Sequence, residues 1–404
     1  MLKGKTVVLG VTGSIAAYKM ADVASMLVKQ HAEVHVIMTA NACNFINPIT
    51  FETLTSNKCL VDTFDRDFEF DVKHISLAKK ADVFVVAPAS ANIIGKIANG
   101  IADDMLSTTI MAAECTKLVA PAMNTRMYHN RIVQDNIAKL KDYGYEFIAP
   151  ASGHLACGDN GDGKLADVNV IFDSIVKSLA EKDLIGKKFV ITAGPTREAI
   201  DPVRFISNRS TGKMGYALAK RAALRGADVV LISGPVSIAP PDNVKVVNIE
   251  SAEDMFNAVV KESEDADVII KSAAVADYRP VTVSDEKIKK ENGGMNEIKL
   301  ERTKDILAYL GEHKKDGQIL CGFSMETQNL MENSVKKLNK KNADMIVANS
   351  IKDANAGFGV DTNIITIITK DDAVAYPVMT KDEVADEIIN AVVKLKEKKN
   401  DTNA

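Results

Sequence analysis

Cysteine is scarce in this chain and never paired. Its 404 residues hold five, Cys43, Cys59, Cys115, Cys157 and Cys321, odd in number and without a CxxC spacing. That excludes a disulfide framework and a cysteine-based zinc site, and it fits a reducing cytoplasm. Long hydrophobic runs are missing too: none approaches the ~20 residues of a membrane span. The amino terminus, Met1-Leu2-Lys3-Gly4-Lys5, runs straight into a strand-like segment with no room for a signal peptide. Nor is there an excess of either charge. A net charge of −4 provides no basic field to hold nucleic acid. Tryptophan is absent, yet 46% of residues are apolar, enough to build cores for the two or three domains that the length suggests. The expectation is a soluble cytoplasmic protein with neither a membrane nor a nucleic-acid partner.

What is present is a repeated alternation. Runs rich in Val, Ile and Leu recur between helical segments at 6–11, 33–39, 82–87, 117–120 and 146–149. Apolar runs that do not alternate suit parallel strands buried on both faces. Their alternation with helices predicts a doubly wound α/β sheet. An amphipathic helix over 168–181 and a polar connector, Lys182-Asp183-Leu184-Ile185-Gly186-Lys187-Lys188, precede a restart. Strands are then expected at 189–192, 228–233, 245–249, 267–271, 318–322 and 344–348, with a hairpin over 364–369 and 373–377. Two parallel-sheet, Rossmann-like domains are therefore expected over 1–184 and 185–395, followed by a charged, disordered tail over 396–404. In such sheets ligands sit beyond the carboxyl ends of the strands.

The strand ends of the first half carry its candidates. The first turn, Gly10-Val11-Thr12-Gly13-Ser14, is not GxGxxG, and the second strand ends at Thr39, where a dinucleotide enzyme presents an acid to the ribose. NAD is disfavoured; a phosphate at Gly13 and Ser14 or a plain capped turn both satisfy the motif. Two later strand ends share one design, Pro88-Ala89-Ser90-Ala91-Asn92 and Pro121-Ala122-Met123-Asn124. Proline fixes φ and so aims the residues after it, and an Asn amide both donates and accepts, whether to a ligand or as a helix cap. His74, whose imidazole type titrates near neutrality, is a candidate acid–base group or substrate contact. Cys157 lies in a loop with glycines at 153, 158, 161 and 163, whose Asp and Asn spacing fails the EF-hand template. A thiol with the ordinary pKa of ~8.5 is protonated at neutral pH, as a proton donor must be.

Taken together, Gly13-Ser14, the 88–92 and 121–128 motifs and the Cys157 loop make residues 1–180 resemble the homo-oligomeric flavin-containing cysteine decarboxylases, and within them the phosphopantothenoylcysteine decarboxylases. The resemblance implies a flavodoxin-like domain with FMN bound at Gly13, Ser14, Thr39, Ser90, Asn92 and Ala122. It also implies a chemistry in which oxidation of the substrate thiol to a thioaldehyde creates an electron sink. CO2 then leaves to give an enethiolate, and hydride and proton return. Asn124 would hold the substrate carboxylate, His74 would assist binding and oxidation, and Cys157 would donate the proton. Ile93 departs from the family's Thr, removing a hydroxyl contact to flavin, and Tyr128 replaces Trp while keeping an aromatic surface. Active sites between subunits are implied as well, hence a homo-oligomer built from trimers and dimers.

In the second half, Ser207-Asn208-Arg209-Ser210-Thr211-Gly212-Lys213-Met214-Gly215 opens a helix with no acid at its amino end, a place for an anion. Asp277 follows the fourth strand, Lys287-Ile288-Lys289-Lys290 is a cationic run, and Lys337 and Lys341 lie one helical turn apart. A charge run alone is usually a solvated face; beside that terminus and Asp277, triphosphate binding is the better reading. The 207–215 motif, Ala273 to Pro280 and the run at Lys287 make residues 186–395 resemble the phosphopantothenate–cysteine ligases. The order of the two halves is that of bacterial bifunctional enzymes, whose ligase prefers CTP.

This second resemblance implies that phosphopantothenate attacks CTP to give an acyl-cytidylate and pyrophosphate. Cysteine then displaces CMP, forming phosphopantothenoylcysteine. Mg2+ and Lys287 would offset phosphate charge, and Asn208 would hold the acyl-cytidylate. Asp277, Lys287, Lys304, Asp305, Ile306, Leu307, Phe323, Lys337 and Lys341 would contact the nucleotide. Two other functions remain in view. One is a two-domain NAD(P) oxidoreductase, opposed by the missing GxGxxG and by Thr39. The other is a non-catalytic flavoprotein regulator, opposed by Cys157, His74 and the lack of a long acidic tail.

Overall fold

A computed structural model of the chain describes residues 2–64, 72–154, 160–289, 297–326, 329–350, 357 and 359–403. They form two compact units, Met1–Ala180 and Glu181–Ala404. The first unit runs β1 (Thr6–Val11), α1 (Met20–Lys29), β2 (Glu33–Met38), α2 (Pro48–Thr55), α3 (Lys73–Lys80), β3 (Val83–Ala89), α4 (Ala91–Ala98), α5 (Met105–Ala112), β4 (Thr116–Pro121), α6 (Thr125–Tyr128), α7 (Arg131–Asp142), β5 (Glu146–Phe147), β6 (Ala151–His154), β7 (Asn160–Lys164) and α8 (Val168–Leu179). Five strands pair in parallel in the order β2-β1-β3-β4-β5. The order reverses between β1 and β3, the crevice that flavodoxin-like sheets use for their ligand. Both of those strands are buried along their whole length, which is why their sequences run apolar without alternation. β6 and β7 stand apart as an antiparallel hairpin.

The second unit continues with β8 (Lys188–Ala193), β9 (Arg197–Ala199), β10 (Phe205–Ser207), α9 (Lys213–Leu224), β11 (Asp228–Ser233), β12 (Val244–Asn248), α10 (Ala252–Glu262), β13 (Val268–Lys271), β14 (Tyr278–Pro280), β15 (Leu300–Arg302), α11 (Ile306–Glu312), β16 (Ile319–Glu326), α12 (Leu330–Lys340), β17 (Met345–Ser350), β18 (Thr362–Asn363), β19 (Ile365–Thr369), β20 (Ala373–Ala375), β21 (Met379–Thr380) and α13 (Lys381–Asn403). Six strands lie parallel in the order β12-β11-β8-β13-β16-β17, reversing between β8 and β13 as a dinucleotide fold does. The expected hairpin is there, but β19 and β20 add to the same sheet antiparallel, so one edge departs from the all-parallel expectation. Successive residues of β8 feed opposite layers. Phe189 and Ile191 pack with Leu218 and Ile388, while Val190 packs with Met255, Ile306 and Leu338.

One expectation about the chain's end is corrected. Residues from 396 onward, read as a disordered tail, continue α13 to Asn403. Lys396 pairs with Asp267, and Lys399 lies 2.8 Å from Asp344. Charges that look solvated in sequence face acids just ahead of β13 and β17, and those pairs dock the helix.

Candidate active sites

In the first unit, short polar contacts bind the strand-end loops to one another. Buried Thr12 donates its hydroxyl to Pro88 O at 2.6 Å and accepts from Ser90 N at 3.1 Å, joining the loops after β1 and β3 across the crevice. Gly13 abuts the loop after β2: a Cβ there would lie 2.7 Å from that of Asn41. Ser14 caps a short 3-10 turn over Ile15–Lys19 by accepting from Ala16 N at 3.3 Å. Thr39 Oγ1 accepts from Ala42 N at 3.3 Å, while Thr39 N donates to Val11 O at 3.0 Å. Ser90 caps α4, and Asn92 is exposed in its first turn. Buried Ala122 donates its N–H to Ala89 O at 3.0 Å, and Asn124 caps α6 by accepting from Arg126 N at 2.8 Å.

All six expected cofactor positions and Asn124 thus gather beyond the ends of β1, β2, β3 and β4. Cap and ligand readings coexist, because a capping oxygen keeps a second lone pair. The base of the β6–β7 hairpin joins them, with Met123 N donating to Gly163 O at 2.9 Å. Cys157 falls outside the described residues. His74 is half-buried in the first turn of α3, which leads into β3 and so starts toward that strand's carboxyl end. The residues present fit a polar-edged ligand in the crevice: among the described residues Thr125 Oγ1, next to Asn124, is buried without a hydrogen-bond partner.

In the second unit a cleft of about 800 Å3 opens beyond the strand ends, spanning the β8–β13 reversal. One wall is the amino end of α9. Gly212 takes a left-handed φ of +79° and caps that helix without a side chain. Gly215 lies so close to the sheet that a Cβ would meet Ala193 Cβ at 2.5 Å and Ser272 Oγ at 2.8 Å. The helix's unpaired N–H groups therefore face the cleft, as an anion requires. The floor is the segment after β13, tied down by Ala273 N to Thr192 Oγ1 (3.1 Å) and Ala276 N to Thr196 Oγ1 (3.0 Å). Asn208 reaches across to it, donating Nδ2 to Ala274 O at 3.0 Å.

The opposite wall carries the lysines. Lys337 donates to Phe323 O at 2.8 Å, and Lys341 lies 2.6 Å from Asp305 Oδ2. Burial acts to raise the Asp305 pKa, but the Lys341 ammonium and the Ala308 N–H outweigh it and hold the carboxyl below its usual range. Lys304 sits 4.7 Å over the Phe256 ring and 3.7 Å from Glu253.

Family models match both units. The Flavoprotein family covers residues 1–180, and the DNA/pantothenate metabolism flavoprotein C-terminal domain covers 184–395. The chain is 50% identical over 400 residues to the Coenzyme A biosynthesis bifunctional protein CoaBC of Bacillus subtilis, spanning 98% of each chain. It is 41% identical to the CoaBC of Haemophilus influenzae over 393 residues, 97% of this chain and 98% of that one. The chain belongs to the CoaBC family. A cysteine/cysteine sulfinic acid decarboxylase from an unknown prokaryotic organism is also similar, 44% identical over 357 residues, 87% of this chain and 99% of that one.

Membership of the CoaBC family leaves the oxidoreductase and regulator readings without support. The second-unit cleft brings together Asn208, Asp277, Lys304, Asp305, Ile306, Leu307, Phe323, Lys337 and Lys341. Two of these act differently from their naming in sequence. The Ile306 and Leu307 side chains are core residues, so only their backbone, at the start of α11, is offered to a ligand. Lys287 is not brought in: it is exposed and outside the cleft lining, although its neighbour Ile288 is anchored by Asp201 and Arg204. In the first unit Ile93 is buried in the core, so the ethyl-for-hydroxyl exchange falls among apolar side chains. Tyr128 packs against that core and meets His129 edge-on at 5.4 Å.

Among the cleft residues given no specific role from sequence are Asn349, Lys381 and Lys271. Asn349, at the end of β17, is buried with Oδ1 unpartnered among the described residues. Buried Lys381 opens α13. Lys271 ends β13, and the break it makes in the run Val268-Ile269-Ile270 was a legible signal.

Proposed function

We propose that this chain catalyses two consecutive steps of coenzyme A biosynthesis. The second unit condenses 4'-phosphopantothenate with cysteine, using CTP and passing through an acyl-cytidylate. The first unit then decarboxylates the resulting phosphopantothenoylcysteine oxidatively to 4'-phosphopantetheine, with FMN. The observation that carries this reading is the match of both units together, across 98% of a CoaBC protein at 50% identity.

In the ligase cleft the N–H groups opening α9, Lys337 of α12 and Lys341 just after it draw the triphosphate, and Mg2+ bound with it would supply further neutralisation of phosphate charge. Asn208, braced on Ala274 O, keeps its Oδ1 for the acyl-cytidylate while the cysteine amine attacks. Lys287, exposed outside the cleft lining, is assigned the offsetting of phosphate charge by the family resemblance alone. In the first unit the loops at Gly13, Ser14, Thr39, Ser90, Asn92 and Ala122 hold FMN. FMN held there would supply a reversible two-electron acceptor for the substrate thiol. Asn124 holds the substrate carboxylate, His74 assists binding, and Cys157 supplies the final proton.

The reading includes a cytoplasmic homo-oligomer of trimers and dimers. Exposed Ile15, Tyr18, Phe45 and Ile49 in the first unit, and Val203, Phe205, Val281 and Val283 in the second, support association as such. Among the described residues no helix is long and apolar enough to cross a membrane.

The test supplies phosphopantothenate, CTP, Mg2+ and cysteine together and measures pyrophosphate, CO2 and bound flavin. Equal yields of pyrophosphate and CO2, with no CO2 from cysteine alone, are expected. CO2 from free cysteine without CTP would instead assign the first unit the activity named for the cysteine/cysteine sulfinic acid decarboxylase relative.

A further inference from the structure

The ligase cleft holds a cation that the proposed steps do not use. β13 gives Val268 and Ile270 to one core layer and Ile269 to the other, so strand alternation assigns position 271 to the layer of Ile306, Leu307 and Leu338. The residue there is Lys271. It closes the strand in register with Thr192 of β8 and Gly322 of β16, half-buried on the cleft wall. Among the described residues its ammonium has neither a hydrogen bond nor an ion pair. Its neighbours are differently placed, Lys337 on Phe323 O and Lys341 on Asp305.

A cation withdrawn from water without a partner is costly, and such groups persist where something completes them. The charges around Lys271 come from Lys337 of α12 and Lys341 just after it, Asp305 capping α11, and Asp277 in the loop after β13. Burial, and then Lys337, push its pKa down to about 8, with Asp305 and Asp277 acting the other way. Neither carboxylate is within pairing distance. The protein thus sets an ammonium among other cations, at the strand-end reversal, where a polyanion would meet all of them.

We propose that Lys271 is a ligand-binding lysine of this cleft, its ammonium reserved for an anionic oxygen of the nucleotide's phosphate chain. This rests on reading the second unit as a nucleotide-dependent ligase. A bound anion raises the lysine's pKa, so binding takes up a proton wherever the free lysine is partly neutral. Below pH about 8 Lys271 is already charged and its contribution to affinity is complete. As pH rises above that, affinity falls by up to about tenfold per unit until the pKa of the complex is reached.

Calorimetric titration of the full chain with CTP, at pH 7 and 8.5 in buffers of different ionisation enthalpy, tests this. Native protein should take up protons at pH about 8.5. Lys271→Met should bind about tenfold or more weakly at neutral pH and lose the uptake. Lys271→Arg should retain affinity without uptake, since a guanidinium stays charged. Lys271→Met should also melt at a higher temperature than native protein at neutral pH, because a half-buried cation without an ion partner is gone, so weaker binding cannot come from unfolding. Native affinity and native proton uptake in Lys271→Met would overturn the proposal. Tripolyphosphate titrated in parallel separates the two readings. Binding of tripolyphosphate but not CTP would sink the nucleotide reading alone, and equal tripolyphosphate affinity of native and Lys271→Met would sink the lysine. A chain that binds neither anion overturns both.

Discussion

Asn208 shows how one side chain can be poised by its backbone partner. Its amide nitrogen is committed to Ala274 O, so the carbonyl oxygen of the same side chain is left for the cleft. Asp at this position keeps the size, loses the donor and sets a carboxylate against a carbonyl oxygen. Asn208→Asp is therefore expected to release pyrophosphate but form the amide about tenfold to a hundredfold more slowly, so that acyl-cytidylate accumulates. Rapid-quench analysis of the nucleotide pool reads this directly, and unchanged turnover would remove Asn208 from the site. Residue-scale legibility was uneven. Asn208 and Asp277 could be named because their neighbours form dense motifs. Lys271 could not, because a lysine after three apolar residues reads as the end of a strand until its neighbours from α11 and α12 are known.

At the scale of elements, the amino end of α9 depends on contact with the sheet. Gly215 is where the helix touches β8 and the segment after β13, and no side chain fits between them. Gly215→Ala should push the helix off the strand ends, costing about 1–3 kcal/mol of stability in the second unit and weakening CTP binding. Denaturant titration together with a binding isotherm checks both, and a fully native variant would show that the close approach is dispensable. The strands and helices themselves were legible, since apolar runs and turn residues are local signals. The antiparallel edge of β19 and β20 was visible as a hairpin but not as part of the main sheet, because pairing with β17 is a long-range choice. The last turns of α13 were misread for a related reason: a lysine-rich tail has no local cause to fold until Asp267 and Asp344 lie beside it.

For the whole molecule, each unit has its own sheet, its own core and its own crevice. Ligands should therefore stabilise the units separately. CTP at about a hundred times its Kd adds about 2.7 kcal/mol to the unit that binds it. Scanning calorimetry should show CTP raising one transition and FMN the other; a single transition moved equally by both would mean that the units unfold as one.

The sequence by itself determined that the chain builds two α/β units and pointed to their strand ends as the places to look for ligands, since periodicity and turn composition are written in neighbouring residues. Only the tertiary structure decided the strand orders, the gathering of Asn208, Lys271, Lys337 and Lys341 along one cleft, and the position of Lys287 outside that lining. Those outcomes depend on which distant segments pack together, and packing is chosen by burial and hydrogen bonding across the whole sheet.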